Sequence, residues 1–275
     1  MERALVSILG GGPWPRVAPQ VGLTSAVLAR DIDLAAAASD FRGRTPIFAA
    51  LFGRGEMKES FSSWLVEVMR SLTPEVVLWM SPLGSPVGPT PEAFVDAGLR
   101  PAWRLALEQS SFGSLVSARW LVGVWTRTGS AAVPVCSHGP AAGMGAGKPK
   151  LWSKALLAKH PGRPLDEDQV AASAGQIVAG LDGVGAPVMI PGFPIALPAE
   201  PLRVRFGETV RYGVLRAPDA TMSTWGLLEA ADVSALLHWP DAGGVSGGLP
   251  QEDWASVRAM PDLEFCTMLV RGLLP

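Results

Sequence analysis

The sequence has few residues of the kinds that build disulfide frameworks, metal centres or basic surfaces. It holds 2 cysteines and 3 histidines in 275 residues, and only 17% of its residues are charged, with a net charge of −2. Two cysteines cannot form a disulfide framework or a four-cysteine metal site. The near-neutral charge excludes an extended basic surface, so any contact with nucleic acid must be local. We therefore expect an intracellular protein, in the cytoplasm or the nucleus, without a structural metal.

Long apolar runs are also lacking. The longest, such as Val76–Met80, have the length of a strand and fall well short of the roughly 20 residues that cross a bilayer. The run Ala4–Leu9 is too short for the core of a signal peptide and ends in three glycines, so we expect neither a targeting peptide nor a membrane contact. The chain does contain 48% apolar residues, which suits one compact domain with its own core.

Apolar residues follow strand and helix periods in turn, which is typical of an α/β fold. Strands are predicted at Leu5–Leu9, Ala26–Ala29, Val76–Met80, Trp103–Leu107 and Trp120–Trp125. Helices are predicted at Leu34–Ala38, Glu59–Leu72, Pro91–Gly98, Asp166–Leu181, Ser223–His238 and Leu263–Leu273. Residues 183–220 are rich in proline and β-branched side chains without a helical period, which indicates short strands or extended loops. The pattern thus predicts an α/β domain over 1–182, a small irregular insert over 183–220, and terminal helices over 221–275 that pack back on the α/β domain.

Two loop motifs invite a chemical interpretation that their residues do not support. The glycine-rich loop Gly139–Lys148 does not match a phosphate loop, which requires serine or threonine after its lysine, because Lys148 is followed by proline. We therefore interpret it as a surface loop. Cys136 and His138 would share a face of an extended segment, as a thiolate–imidazole pair requires. No third ligand or orienting acid lies nearby in sequence, which makes a catalytic or metal site here the weaker interpretation.

Charged side chains near predicted strands leave two further alternatives open. Asp31 and Asp33 follow a strand and precede a helix, where they can act as a carboxylate pair or as helix caps. Arg203 and Arg205 alternate along a predicted strand, with Arg211 and Arg216 beyond it. A solvated strand face is the simpler account of these arginines, and a phosphate-contacting face is the alternative.

Taken in order, segments along nearly the whole chain resemble the C5-cytosine DNA methyltransferases, which transfer a methyl group from S-adenosylmethionine to cytosine in DNA or, in one branch, tRNA. The segments that carry the resemblance are Leu5–Gly12, Ala26–Ala36, Phe61–Leu78, Phe94–Val124, Pro134–Pro140 and Glu229–Asp241. The resemblance implies a Rossmann-like S-adenosylmethionine-dependent methyltransferase fold, with a small irregular β insert in place of a target-recognition region.

The same resemblance implies where ligands would bind. The cofactor S-adenosylmethionine would lie against a glycine-rich loop and an acid that holds the ribose hydroxyls, which correspond here to Leu9, Gly10, Gly11, Asp31 and Ile32. Nucleic acid, DNA or tRNA, would be contacted by arginines, of which Arg119, Arg203 and Arg205 are the candidates.

The departures from the family fall on its chemistry. The family attacks cytosine with the thiolate of a Pro-Cys dipeptide, and the counterpart implied here is Pro46-Ile47, which has no nucleophile. The glutamate that contacts the base corresponds to Met80 or Trp79, neither of which can transfer a proton. We therefore expect no catalytic residue at Ile47 or Met80.

Smaller departures affect the scaffold. The stretch between Asp33 and Pro46 is short, which implies that part of the third strand region is missing. Pro13 and Trp14 stand where glycines are expected, and Pro15 and Pro19 would interrupt the following helix.

Three functional hypotheses follow from these observations. The first is a methyltransferase-like protein that keeps the scaffold and has lost cysteine-based transfer. The second is an active methyltransferase with a rearranged site in which Cys136 acts as the nucleophile. The third is a protein-interaction module that binds a protein partner through a tryptophan-rich surface, because exposed tryptophan favours interfaces.

Overall fold

The structure is a computed structural model, and the residues described by it exclude several segments, most of them in the second half of the chain. The described residues are 2–8, 12–28, 33–41, 44–51, 59–84, 91–138, 163–164, 195–197, 202–206, 209–216, 226–228, 230–239, 257 and 259–274. Within these ranges, no helix is long and apolar enough to cross a membrane.

A six-stranded sheet forms the centre of the first half of the chain. Its strands are β1 (Glu2–Ile8), β2 (Thr24–Leu28), β3 (Arg44–Leu51), β4 (Val76–Pro82), β5 (Arg100–Glu108) and β7 (Arg119–Thr126), with the two-residue β6 (Val116–Ser117) lying outside it. They are ordered β2-β1-β3-β4-β7-β5. The pairs β1–β2, β1–β3 and β3–β4 are parallel, and β7 runs antiparallel to both of its neighbours. The sheet is thus a parallel α/β sheet with one reversed strand near an edge.

Helices cover both faces of this sheet. They are α1 (Trp14–Gln20), α2 (Leu34–Asp40), α3 (Glu59–Leu72), α4 (Pro91–Asp96) and the C-terminal α6 (Leu263–Arg271). Side chains of α2, α3 and α4 form one buried core with alternate residues of the strands, including Val77, Trp79 and Trp125. Met80, the residue after Trp79, faces the other side of the sheet. There its sulfur lies 4.0 Å from the thiol sulfur of Cys266 on α6. Burial on both faces explains why β4 is apolar at successive positions.

Most of the predicted elements in this region are confirmed, and one expectation about it is wrong. A helix does form over Trp14–Gln20, because Pro15 lies in the first turn, where no N–H partner is needed, and Pro19 lies one residue from the end. After α2, the next described strand is β3, which pairs with both β1 and β4, and β2 is an edge strand of the sheet. The expected loss of part of the third strand region therefore stays a prediction.

The strands of the second half belong to smaller sheets. They are β8 (Arg163–Pro164), β9 (Ile195–Ala196), β10 (Leu202–Phe206), β11 (Thr209–Arg216) and β12 (Gly226–Leu228). One sheet has the order β10-β11-β12-β8, and β6 pairs with β9. The expected strands of the insert are therefore present where residues are described. The helix predicted over Ser223–His238 is corrected to β12 followed by α5 (Ala230–Leu236), because residues 226–228 pair with β11. The predicted helix Asp166–Leu181 lies outside the described residues.

The chain separates into two compact units. The first comprises residues 1–108, 119–135 and 263–275, and the second comprises 109–118 and 136–262. The predicted boundaries at 182 and 220 lie outside the described residues, so the predicted division stays a prediction. The second unit contains β8 and β12 as well as the strands of the insert, because β12 connects the β10–β11 pair to β8.

Candidate functional site

The sheet reverses its strand order at β1, which makes β1 a topological switch point. The chain passes from β1 outward to β2 and then back across β1 to β3. In open parallel sheets, ligands bind outside the carboxyl ends of the strands at such a switch point. The described carboxyl ends are Ile8 of β1, Leu28 of β2, Leu51 of β3 and Pro82 of β4. These ends define the candidate site, which we call the carboxyl edge.

The loop from β1 to α1 enters the carboxyl edge. Leu9, Gly10 and Gly11, which we expected to bind the cofactor, lie outside the described residues. Gly12 is described and has φ +82°, a left-handed conformation that favours glycine. Two residues later, Trp14 begins α1 with its side chain fully buried.

One member of the acid pair after β2, Asp33, lies among the described residues. Asp31 and Ile32 lie outside the described residues, so the ribose-binding role of Asp31 remains a prediction. Asp33 caps α2, since its Oδ1 accepts hydrogen bonds from the N–H groups of Ala35 at 2.9 Å and Ala36 at 3.3 Å. The capping interpretation is therefore confirmed for Asp33.

Removal of this cap should destabilise α2 moderately. We expect Asp33→Ala to lower the free energy of unfolding by about 1 kcal/mol, because two backbone N–H groups lose their acceptor. Asp33→Ser should retain most of the stability, since serine also caps helices. Urea unfolding followed by circular dichroism measures both variants, and equal losses for Ala and Ser would contradict the capping role.

Ile47 and Met80, the two positions expected to lack catalytic residues, do not lie together. Ile47 pairs with Leu5 and Val76 in the middle of β3 and is fully buried, whereas Met80 pairs with Leu51 at the carboxyl end. Four residues along a strand separate them by about 13 Å. Ile47 therefore lies inside a central strand and away from the carboxyl edge, and its correspondence to the family's catalytic dipeptide stays a prediction.

Met80 brings only apolar chemistry to the carboxyl edge. It is fully buried, and the thiol of Cys266 donates to its sulfur at 4.0 Å. The next residue, Ser81, is 1% exposed, and its hydroxyl has no hydrogen-bond partner. No carboxylate or imidazole is supplied by these two positions, so this part of β4 holds no general acid or base.

The contacts described for His138 do not include Cys136. Cys136 is half-buried. Two residues later, His138 binds Ser137 through Nδ1, 2.7 Å from the hydroxyl, and the N–H groups of both residues donate to the carbonyl of Ser111. Among the described residues, no group of three or more potential ligands could hold a metal ion.

The predicted nucleic-acid contacts lie in different units. Arg119, on β7 in the first unit, has a 72% exposed side chain, and its Nε lies 3.4 Å from Glu108 Oε2. Arg203 and Arg205 lie on β10 in the second unit, opposite Tyr212 and Val210. The predicted strand is thus confirmed, and the register places the two residues on one face of the β10–β11 pair.

A buried polar cluster in the second unit was missed by the sequence reasoning. Asp262 Oδ2 accepts from Ser114 Oγ at 2.8 Å and lies 3.0 Å from His238 Nδ1, and Asp262 N donates to Gln109 at 3.2 Å. Ser114 and His238 contact the same carboxylate oxygen, so the histidine does not stand between acid and hydroxyl as a catalytic triad requires. We call this the Asp262 cluster. Its other members lie 24 to 153 residues from Asp262 in sequence, so no local motif around Asp262 signals the cluster.

Comparison with known proteins gives a fold but no sequence family. No protein-family model and no curated relative matches the sequence. Solved structures match along the whole chain. The S. pombe Dnmt2 methyltransferase is similar, with TM-score 0.58 and 9% identity over 99% of this chain and 98% of that one.

Two further solved structures are also similar to this chain. A protein assigned as a DNA modification methyltransferase, encoded within an E. coli prophage, has TM-score 0.54 and 10% identity over 99% of this chain and 98% of that one. A DNMT2 mutant of Spodoptera frugiperda has TM-score 0.55 and 9% identity, over 99% of both chains. The chain has the fold of these methyltransferases. The predicted Rossmann-like methyltransferase fold is thereby confirmed, and the resemblance holds at the level of the fold.

Proposed function

We propose that the chain is a DNA cytosine-5-methyltransferase-like protein that does not perform cysteine-based methyl transfer to cytosine. The observation that carries the proposal is Met80, which is fully buried at the carboxyl end of β4, with its sulfur against Cys266. The resemblance implies a glutamate there, because the reaction needs a proton donor at the base. A buried thioether cannot take that role.

The cysteines support the same proposal. Cys266 is fully buried on α6 and directs its thiol at a methionine sulfur. Burial among apolar groups disfavours a thiolate, which is the nucleophilic form. The described carboxyl ends of β1 to β4 are Ile8, Leu28, Leu51 and Pro82, none of which carries a thiol.

Methyl-transfer assays test this proposal. The full chain, incubated with labelled S-adenosylmethionine and either cytosine-containing DNA or tRNA, should transfer no label and should form no covalent adduct with 5-fluorocytosine substrates. A functional DNA cytosine methyltransferase serves as the positive control for label and substrate. Transfer above the no-enzyme background would refute the proposal.

The Cys136→Ser variant distinguishes the proposed function from the hypothesis of an active methyltransferase in which Cys136 is the nucleophile. If the wild type transfers methyl groups and Cys136→Ser does not, Cys136 is the nucleophile of a rearranged site. Cys266→Ser is the matched control, because that thiol is buried against Met80. We expect neither variant to differ from the wild type, because we expect none of the three proteins to transfer.

Nucleic acid, DNA or tRNA, remains the ligand class that we propose for a scaffold of this kind in the cytoplasm or nucleus. Arg119 supports the proposal through its exposed guanidinium, and the shared face of Arg203 and Arg205 offers a second local contact. Phosphate contacts of this kind position a nucleic acid without a large net charge. They are compatible with loss of the methyl-transfer chemistry.

The structure favours the interaction-module hypothesis less than the sequence did. Among the described tryptophans, Trp14, Trp79, Trp120 and Trp125 are buried, and the other three are half-buried. The described residues therefore present no tryptophan-rich surface, and these side chains serve mainly as core. The interaction-module hypothesis itself stays a prediction.

A further inference from the structure

The amino ends of the parallel strands form the edge of the six-stranded sheet opposite the carboxyl edge. Arg3 lies near the start of β1, and Glu75 comes directly before β4. Because β7 runs antiparallel, its last residue Thr126 lies beside the start of β4 at this same edge, and Arg127 follows it. Together with residues 272–274 after α6, they line an open cavity of about 350 Å³. We call this cavity the amino groove.

Positive charge exceeds negative charge in the amino groove. Its one carboxylate is that of Glu75, whose Oε2 lies 3.8 Å from Arg3 Nη2. Among the described residues, no carboxylate forms an ion pair with Arg127, which donates to the carbonyl oxygens of Pro74 at 3.2 Å and Ala97 at 3.5 Å. These neutral acceptors leave the charge of the guanidinium uncompensated. The groove therefore favours an anion, and a carboxylate suits the fork of an arginine.

An apolar groove continues directly from the amino groove. It has a volume of about 310 Å³ and shares Ala132 and Gly272 with the amino groove. Val133 and Val135 line it opposite Met268 of α6. Val133 is 53% exposed, and Val135, at 80%, is the most exposed large hydrophobic side chain of the described residues. Clustered exposed apolar side chains of this kind mark interaction sites.

The segment that joins the two grooves also offers free backbone groups. Residues 131–135 follow β7 and belong to no helix or strand. Within the described part of the chain, their one hydrogen bond is that from Trp103 Nε1 to the carbonyl of Ala132, at 3.0 Å. Pro134 favours an extended conformation of Val133 before it. An extended peptide can pair with such free N–H and C=O groups as an added strand does.

We propose that the two grooves dock an extended segment of a partner protein in which apolar residues stand next to acidic ones. The apolar side chains would pack against Val133 and Val135, and the carboxylates would pair with Arg3 and Arg127. Arg271 lines the apolar groove, is exposed, and forms no ion pair with a described residue, so it adds a third cation. A nucleic acid would satisfy the arginines and leave the valines uncovered. The proposal goes beyond the proposed function, because these grooves lie at the opposite ends of the strands from the carboxyl edge.

Fluorescence anisotropy with short labelled peptides and the full chain tests the proposal. The probes join a block of leucines to a block of glutamates, in both orders. We expect one order to bind at least about tenfold more tightly than peptides with lysine in place of glutamate or serine in place of leucine. Added salt should weaken this binding, because the ion pairs are exposed.

Variants of the grooves locate the binding. Val135→Ser and Arg271→Glu should each weaken it by at least about fivefold, since each removes a contact that the peptide needs. The matched controls are Val95→Ser, whose valine is 59% exposed on α4, and Arg70→Glu on α3, and neither should change the affinity. Circular dichroism verifies that all four variants fold.

Four results would overturn the proposal. They are the absence of binding for both orders of the leucine–glutamate peptide, equal binding of the lysine peptide, unchanged affinity in both groove variants, and an equal loss in the control variants. Two other occupants would replace a protein segment if peptides fail to bind. Single-stranded DNA or tRNA binding that Arg271→Glu abolishes would identify a nucleic acid, and a dimer that Val135→Ser dissociates in sedimentation would identify a second copy of the chain. Methyl-transfer assays leave this proposal unchanged, so the two proposals fail separately.

Discussion

Asp262→Ala should destabilise the second unit by about 3 kcal/mol, because it removes the common acceptor of the Asp262 cluster. The carboxylate is fully buried and binds Ser114 at 2.8 Å and His238 at 3.0 Å. Alanine would leave the hydroxyl of Ser114, which is 3% exposed, without its acceptor. An unmade hydrogen bond in a buried site costs more than the same bond contributes when it is made.

Hydrogen exchange measured by mass spectrometry can localise this effect. We expect Asp262→Ala to lose amide protection in residues 109–118 and 230–239, while β1, β3 and β4 keep theirs, because the cluster belongs to the second unit. Uniform loss of protection over both units would contradict this expectation.

Two milder substitutions serve as controls for the Asp262 cluster. Asp262→Asn keeps an acceptor of the same shape and should lose less than half as much stability. Ser114→Ala removes a single donor and should cost about 1 kcal/mol. If Asp262→Asn lost as much stability as Asp262→Ala, the site would depend on the charge of the carboxylate and not on its shape.

The helices and strands of the scaffold could be predicted because their apolar residues follow local helical and strand periods. The helix Glu59–Leu72 and the strand Val76–Met80 follow helical and buried-strand patterns, and the structure has both. Their alternation was sufficient to predict a parallel sheet. Pro15 and Pro19 misled the prediction for α1, because the cost of a proline depends on its place in the turn, which a residue type alone does not reveal.

The site was predictable only where a residue acts alone. Asp33 was foreseen as a cap because a cap needs one side chain next to its own helix. The Asp262 cluster was not foreseen, because Gln109, Ser114 and His238 reach Asp262 from distant parts of the chain. The place of Ile47 inside the sheet was not foreseen for a related reason, since a Pro-Xaa dipeptide signals nothing about strand pairing.

Gly123→Ala should be the most damaging single-methyl insertion in the six-stranded sheet, with a loss of about 3 kcal/mol, at the upper end for overpacked cores. A Cβ at residue 123 would lie 2.4 Å from Trp79 Nε1 and 2.5 Å from Cε2. Trp79 is 3% exposed, and the guanidinium of Arg104 lies 5.4 Å from the centre of its ring. The three residues share one row across β4, β7 and β5, so the glycine on the middle strand leaves room for the indole.

A double-mutant cycle assigns this loss to the indole. In a Trp79→Leu background the added methyl group has no ring to meet, so Gly123→Ala should cost less than about 1 kcal/mol there, and the coupling between the two sites should exceed about 2 kcal/mol. Gly272→Ala is the matched control. Its Cβ would meet only backbone oxygens at 3.6 Å, and the expected change is within about 0.5 kcal/mol. Thermal and urea unfolding measure all four variants. If Gly123→Ala costs the same with and without the indole, the strand and not Trp79 requires glycine, and the packing argument for this row fails.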